Sequence, residues 1–417
     1  MKKAHLFSGM LRLAAVCLAP LLLAGCHEAR GDAAARAPAT SPEQLARGKY
    51  LTMAADCAAC HTVSGGAAFA GGVPLKTDFG TIYGTNITSD PDNGIGRWSS
   101  DDFYRALTAG KAPGGHYLYP AMPYTSYRAM TREDADAIYG YLMHLPPVRQ
   151  ANKKDDLKFP YNLRFGMLFW NMLFLEDKLP ASSKGQSAQW QRGRYLANVL
   201  GHCGECHTPR GKLGQLDLDK PFSGYALTRF FSSDITPAAL AARGWTADDL
   251  QTFFSVGIAP QGSAFGDMYE AVHLSTRHLN EADLKALSTY LLGDQPPPAQ
   301  PLKTANADMG KLEAGRRLYL NVCAGCHAVD GAGKPHTAIA MRGNATLRAN
   351  NPHNLIVSIL DGLPEQKFSG LENMQPMPGF ARRLSDGEIA DLANYLRVAW
   401  GGQPADVTSQ KVAALRR

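Results

Sequence analysis

Apolar residues recur at helical spacing along most of the chain, and three stretches share one frame. Ala135, Ile138 and Leu142 fall on one helix face, as do Leu284, Leu287 and Leu291. Each of these runs follows an N-cap residue with an acid three positions on: Thr131 with Asp134, and Asn280 with Asp283. Ser385 with Glu388 opens a third. Ten residues past each cap comes a Tyr-Leu pair, at Tyr141-Leu142, Tyr290-Leu291 and Tyr395-Leu396. Three earlier segments, 46–51, 191–196 and 314–319, also read as helices, and each contains a glycine: Gly48, Gly193 or Gly315. Glycine inside a helix costs about 1 kcal/mol relative to alanine, so its recurrence predicts a close helix crossing. The aromatic tip of the closing helix is the expected contact.

The first two units match further. Asn86-Ile87-Thr88 pairs with Asp234-Ile235-Thr236, Trp98-Ser99 with Trp245-Thr246, and Asp102-Phe103 with Asp249-Leu250. Gly110 lies 12 residues after Trp98, and Gly257 lies 12 after Trp245. In the third unit, Asn354-Leu355 to Gly362 repeats the interval from Asp102-Phe103 to Gly110. The pattern predicts an all-α chain of three tandem domains related by duplication, over 43–150, 187–295 and 309–402. An aromatic-rich linker (151–186), a Pro-rich linker (296–308) and a tail (403–417) complete the body. Within the first linker, Phe159, Tyr161, Phe165, Phe169, Trp170 and Phe174 are expected to pack between domains, with contact to membrane or quinone as the alternative.

The N-terminus changes the picture. Lys2 and Lys3 precede an apolar stretch from Leu11 to Ala24, too short for a comfortable span, which reads as a signal peptide over 1–25. It ends in Leu23-Ala24-Gly25-Cys26, which resembles a bacterial lipobox with Cys26 as the lipid-bearing residue; the alternative is cleavage in the Ala-rich stretch 33–37. Residues 26–42 then form a flexible tether. Removing the leader takes away Lys2, Lys3 and Arg12, so the formal charge of +6 falls to +3. No basic run remains to suggest nucleic acid.

Eight cysteines are present, and six of them form three C-x-x-C-H boxes. The boxes are Cys57-Ala58-Ala59-Cys60-His61, Cys203-Gly204-Glu205-Cys206-His207 and Cys323-Ala324-Gly325-Cys326-His327. C-x-x-C-H reads as attachment of heme c: each thiol adds to one vinyl of the same porphyrin, and the adjacent His ligates the iron. Structural zinc takes four ligands, usually two Cys pairs or a Cys pair plus a His pair, and no such second pair lies near any box. A redox dithiol gives no reason for the following His. Three covalently bound hemes are therefore expected, held by Cys57, Cys60, Cys203, Cys206, Cys323 and Cys326, with His61, His207 and His327 on iron.

A second axial ligand is expected on a loop before each closing helix. Met122 lies 61 residues after His61, and Met268 lies 61 after His207. A methionine is more often core filler than ligand, and the equal spacing is what singles these two out. In the third unit Met377, within Pro376-Met377-Pro378-Gly379-Phe380, is preferred to Met374. His116, His273, His278, His336 and His353 are alternative second ligands in a bis-His arrangement, but each reads better as a surface or packing residue.

With these residues assembled, the chain resembles the triheme cytochrome c subunits of bacterial membrane-bound dehydrogenases, of the gluconate, sorbitol, fructose and quinoprotein alcohol dehydrogenase type. The resemblance is carried by Asp78-Phe79-Gly80-Thr81-Ile82-Tyr83-Gly84-Thr85-Asn86-Ile87-Thr88, Tyr119-Pro120-Ala121-Met122-Pro123-Tyr124, Trp170-Asn171 and Met377-Pro378-Gly379-Phe380. It implies three cytochrome c-like domains with Met122, Met268 and Met377 as distal ligands. It also implies a partner that does the catalysis, a dehydrogenase subunit bearing flavin or pyrroloquinoline quinone (PQQ), with a small third subunit in some complexes. Electrons would pass to ubiquinone at the periplasmic side of the bacterial cell membrane, the chain being held by its lipid or by the complex. The rival readings are a self-contained heme enzyme of peroxidase type and a cytochrome subunit of a terminal oxidase.

Overall fold

In the computed structural model of the protein, residues 40–175, 185–303, 305 and 308–417 are described. The expected signal peptide, Cys26 and most of the tether lie outside them.

The three glycines mark where opening and closing helices cross at backbone contact. The opening helices are Pro42–Ala54, Ala188–Tyr195 and Glu313–Val322, and the closing helices Arg132–Met143, Glu281–Leu292 and Asp386–Leu396. A Cβ on Gly48 would lie 2.1 Å from the Ala137 carbonyl oxygen and 2.9 Å from Tyr141 Cβ. On Gly193 it would lie 1.9 Å from Ala286 O and 2.7 Å from Tyr290 Cβ, and on Gly315 2.1 Å from Asp391 O and 2.8 Å from Tyr395 Cβ. The expected meeting of glycine with aromatic tip is thus present in all three units. Ala135, Ile138 and Leu142 are sealed beneath the first crossing. Burying Ile138 and Leu142 stabilises the unit by roughly 1.5–3 kcal/mol each.

The second unit has one more residue than the first between its glycine and its first cysteine. A π-helical turn over Leu196–Leu200, which takes one residue more per turn, accommodates it before Cys203.

A middle helix completes each unit: Ser100–Ala109, Ala247–Val256 and His353–Asp361. The first two start with full capping boxes, Ser99 with Asp102 and Thr246 with Asp249. The closing-helix acids behave differently. Only the Glu388 side chain bonds back to its own cap, Ser385. Asp134 and Asp283 are turned toward the neighbouring unit. Sheet is confined to short antiparallel pieces, the largest joining residues 74–77, 80–83 and 156–157. The fold is all-α, as expected.

Units one and two share one contiguous core, whereas unit three has its own. The first pair is joined by reciprocal tyrosine bonds. Tyr195 donates its hydroxyl to Asp134 Oδ2 at 2.6 Å, and Tyr50 donates to Asp283 Oδ2 at 2.6 Å. Within each unit an arginine of the opening helix holds the same acid: Arg47 Nη2 donates to Asp134 Oδ1 at 2.5 Å, and Arg192 forks onto Asp283 at 2.7 and 2.8 Å. Aligned on the crossing glycine, unit three has Ala314 for the arginine and Arg317 for the tyrosine. It docks elsewhere. Asn354 exchanges two bonds with the Phe231 backbone at 2.7 and 2.8 Å, Arg229 pairs with Asp361 at 2.5 Å, and Gln366 Nε2 donates to Ala264 O at 2.8 Å.

The aromatic linker departs from its expected burial. Only one face of its helix, Gly166–Phe174, packs inward: Met167 is buried, Trp170 Nε1 donates to Leu213 O at 2.9 Å, and Tyr124 donates to Asn171 Oδ1 at 2.8 Å. Phe159, Phe165, Phe169, Met172 and Leu173 face outward. A nine-residue helix can turn only half its surface to a neighbour, and this one is apolar on both halves.

Candidate heme sites

Each C-x-x-C-H box forms a single helical turn directly after its opening helix, at Cys57–His61, Gly204–His207 and Ala324–His327. In units one and two the residue before the first cysteine takes the left-handed conformation, Asp56 at φ 51° and His202 at φ 35°. That kink breaks the opening helix and redirects the two thiols.

Each histidine is oriented through its second nitrogen. Nδ1 of His61 lies 2.6 Å from Thr85 O, Nδ1 of His207 lies 2.6 Å from Ser233 O, and Nδ1 of His327 lies 3.1 Å from Ile339 O. A carbonyl can only accept, so Nδ1 carries the proton and the Nε2 lone pair is left for a metal. Burial lowers the pKa of all three rings, against a raising contribution from those carbonyls, which favours the neutral, ligating form.

The acceptors were not named from sequence, yet a signal was present. Thr85 and Ser233 immediately precede the paired Asn86-Ile87-Thr88 and Asp234-Ile235-Thr236. Asn86 Oδ1 accepts from Thr88 N and Oγ1 at 2.9 and 2.7 Å, and Asp234 Oδ1 accepts from Thr236 N and Oγ1 at 2.8 and 2.7 Å. These Asx turns fix the loop that carries the acceptor.

The six cysteines are free of disulfides. Burial pushes the Cys57, Cys60, Cys203 and Cys323 thiols up to about 12, and Cys206 to about 11. Paired thiols beside a neutral, backbone-oriented imidazole fit covalent heme; a structural zinc site would need a fourth ligand, and no cluster of three or more His, Cys, Asp or Glu able to hold a metal is present among the described residues.

Met122 and Met268 pack against the shared core of units one and two, and Met377 against the core of unit three. Met122 precedes the short helix Tyr124–Tyr127, and Met268 sits in the first turn of Asp267–Leu274. Met377 pairs with Leu363 beside Gly362, whereas Met374 pairs with Gln366. Three of the alternative histidines are engaged elsewhere: His353 Nε2 with Arg229 O, His336 with Glu372, and His273 with Arg277.

The first two boxes abut. Tyr127, just past Met122, donates to Ala55 O at 2.5 Å and meets the His202 ring at 5.6 Å. Glu205, inside the second box, accepts from Thr125 and Ser126 of unit one at 2.7 and 2.9 Å, and from Arg210 at 2.6 Å. Asp56 is partly exposed as a residue, but its Oδ1 is sealed and has no hydrogen-bond partner among the described residues. Burial, then the charge of Glu270, pushes its carboxyl up to about 8.

A family model described as cytochrome c matches residues 45–146 and 312–400. The intervening unit has the same crossing and the same histidine arrangement. The chain is 38% identical to the gluconate 2-dehydrogenase cytochrome c subunit of Pantoea cypripedii, over 89% of each chain. It is 35% identical to the cytochrome c subunit of the quinone alcohol dehydrogenase of Gluconacetobacter polyoxogenes, covering 93% of this chain and 87% of that one. With the fructose dehydrogenase cytochrome subunit of Gluconobacter japonicus it shares 34% identity over 95% of this chain and 87% of the other. These relatives are electron-transfer subunits, which favours that role over a self-contained heme enzyme or an oxidase subunit. The chain belongs to the cytochrome c subunits of bacterial membrane-bound dehydrogenases.

Proposed function

We propose that the chain carries three heme c groups and passes single electrons from a catalytic dehydrogenase subunit, bearing flavin or PQQ, to ubiquinone. The oxidised substrate would be a sugar, a sugar acid or an alcohol, by analogy with the relatives. The complex would work on the periplasmic side of the cell membrane, held there by lipid on Cys26, with a small third subunit as a further partner.

The observation that carries this reading is the threefold recurrence of two free thiols beside an imidazole whose Nδ1 is tied to a backbone carbonyl. Heme c supplies a reversible one-electron couple at iron. The protein's residues do the rest. Cys57 with Cys60, Cys203 with Cys206 and Cys323 with Cys326 would hold each ring by thioether bonds. His61, His207 and His327 would supply one iron ligand, oriented by the carbonyls of Thr85, Ser233 and Ile339. Met122, Met268 and Met377 would supply a second, and a thioether favours ferrous iron. The apolar cores limit solvent reorganisation around the charge change. The contacts of Tyr127 and Glu205 hold the first two sites together, and unit three reaches the Met268 loop through Gln366.

Mass spectrometry of the exported protein, made in a host that matures c-type cytochromes, tests the reading. Three covalently added hemes are expected; two or fewer overturn it.

A further inference from the structure

The outward face of the linker helix has no partner among the described residues. Phe165, Phe169, Met172 and Leu173 fall at i, i+4, i+7 and i+8 and are 67, 56, 74 and 70% exposed. Phe159, Tyr161, Leu163 and Leu168 continue the patch along the linker, and Leu213 continues it across the Trp170 bond. Residues 157–175 contain no Asp or Glu. Lys158 and Lys212 stand exposed at its rim.

A contiguous apolar patch with a polar rim marks a site of association. Two observations favour lipid over a protein. The four helix residues offer no side-chain hydrogen bond, whereas an exchanging protein interface carries about one per 100–200 Å². Aromatic rings flank the aliphatic centre, which suits a headgroup layer over acyl chains, and Lys158 and Lys212, with Asp156 the exposed acid two residues from Lys158, favour anionic headgroups there. No helix among the described residues is long and apolar enough to cross a membrane.

We propose that residues 159–173 form an interfacial anchor, with helix Gly166–Phe174 lying in the plane of an anionic bilayer and Phe165, Phe169, Met172 and Leu173 entering the acyl boundary. The proposal rests on the electron-transfer reading only in placing the protein at a membrane. Its packed face would then hold Trp170, and through Leu213 the second heme unit, against the bilayer.

The test uses the full mature protein with three hemes and Cys26→Ser, exported behind a cleavable signal, so that no acyl chain contributes. Flotation with vesicles of phosphatidylethanolamine and phosphatidylglycerol should carry this protein upward. The Phe169→Ser, Met172→Ser, Leu173→Ser variant should bind at least about tenfold more weakly. Met172→Lys, a single change at an exposed site, should weaken binding while keeping all three hemes by mass. The proposal is overturned if the parent stays off the vesicles, or if the triple variant floats equally well. It is also overturned if the triple variant binds vesicles normally but no longer co-purifies with a catalytic subunit, which would make the face a protein contact. Heme count by mass is read on the same samples, so failure of the triheme reading is seen separately.

Discussion

Tyr50 of the first unit donates its hydroxyl to Asp283 of the second at 2.6 Å, and Tyr195 returns the same bond to Asp134 at 2.6 Å. Each tyrosine oxygen also accepts a cap N–H across the interface, from Asn280 and from Thr131, both at 3.3 Å. The two units are thus locked through the N-termini of their closing helices.

Tyr50→Phe and Tyr195→Phe should each destabilise this pair by about 1–2 kcal/mol, the lower part of the range for hydrogen bonds to charged groups because both sites are half-buried. Urea denaturation followed by heme absorbance would show it. The same lock gives a pH dependence. Burial works to raise the Asp283 pKa, but the bonds from Arg192 and Tyr50 outweigh it, so the pKa is lowered in the folded protein. A lowered carboxylate contributes stability that is present above its unfolded pKa and lost as pH falls through the folded one. The melting temperature should therefore drop as pH falls below about 4, and Asp283→Asn should flatten that drop.

Asp56 titrates in the opposite sense. Its folded pKa of about 8 lies above the unfolded value, so the folded state holds a proton that the unfolded state releases, and stability falls as pH rises toward 8. Oxidation of a nearby heme adds positive charge and favours the ionised carboxyl. The reduction potential of that heme should accordingly fall as pH rises through about 8, and Asp56→Asn should remove the slope. Spectroelectrochemical titration of both proteins decides it, and an unchanged slope in the variant would refute the assignment.

Gly193→Ala should cost about 3 kcal/mol or abolish folding of the second unit, because the new methyl meets the Ala286 carbonyl rather than a movable side chain. Thermal melting with heme absorbance as the probe measures the loss.

Met268→Ala should abolish one His/Met optical signature while leaving three covalent hemes. An unchanged spectrum would move the axial role to another residue.

Much of the fold was legible because duplication printed it three times. The glycines, the Tyr-Leu pairs and the caps each predicted a contact that the structure contains. Less legible was the partner of each cap acid. Asp134, Asp283 and Glu388 share one local pattern, yet only the Glu388 carboxylate bonds its own cap; the difference lies in Arg47, Arg192, Tyr50 and Tyr195, far away in sequence. The cysteines and histidines of the sites stood out by spacing, whereas their carbonyl acceptors did not, because any residue type can supply a carbonyl. Those acceptors could be found only by asking why Asn-Ile-Thr and Asp-Ile-Thr recur. The linker was misjudged for a plain reason: an aromatic run reads as core in a sequence, and only coordinates show that none of the described residues covers its outer face.

The shared core of units one and two has a consequence for inheritance. Separating those two would strip apolar surface from both, so natural shortening or recombination of the gene should keep them as one cassette. Unit three, folded around its own centre, is the piece that can be lost or exchanged.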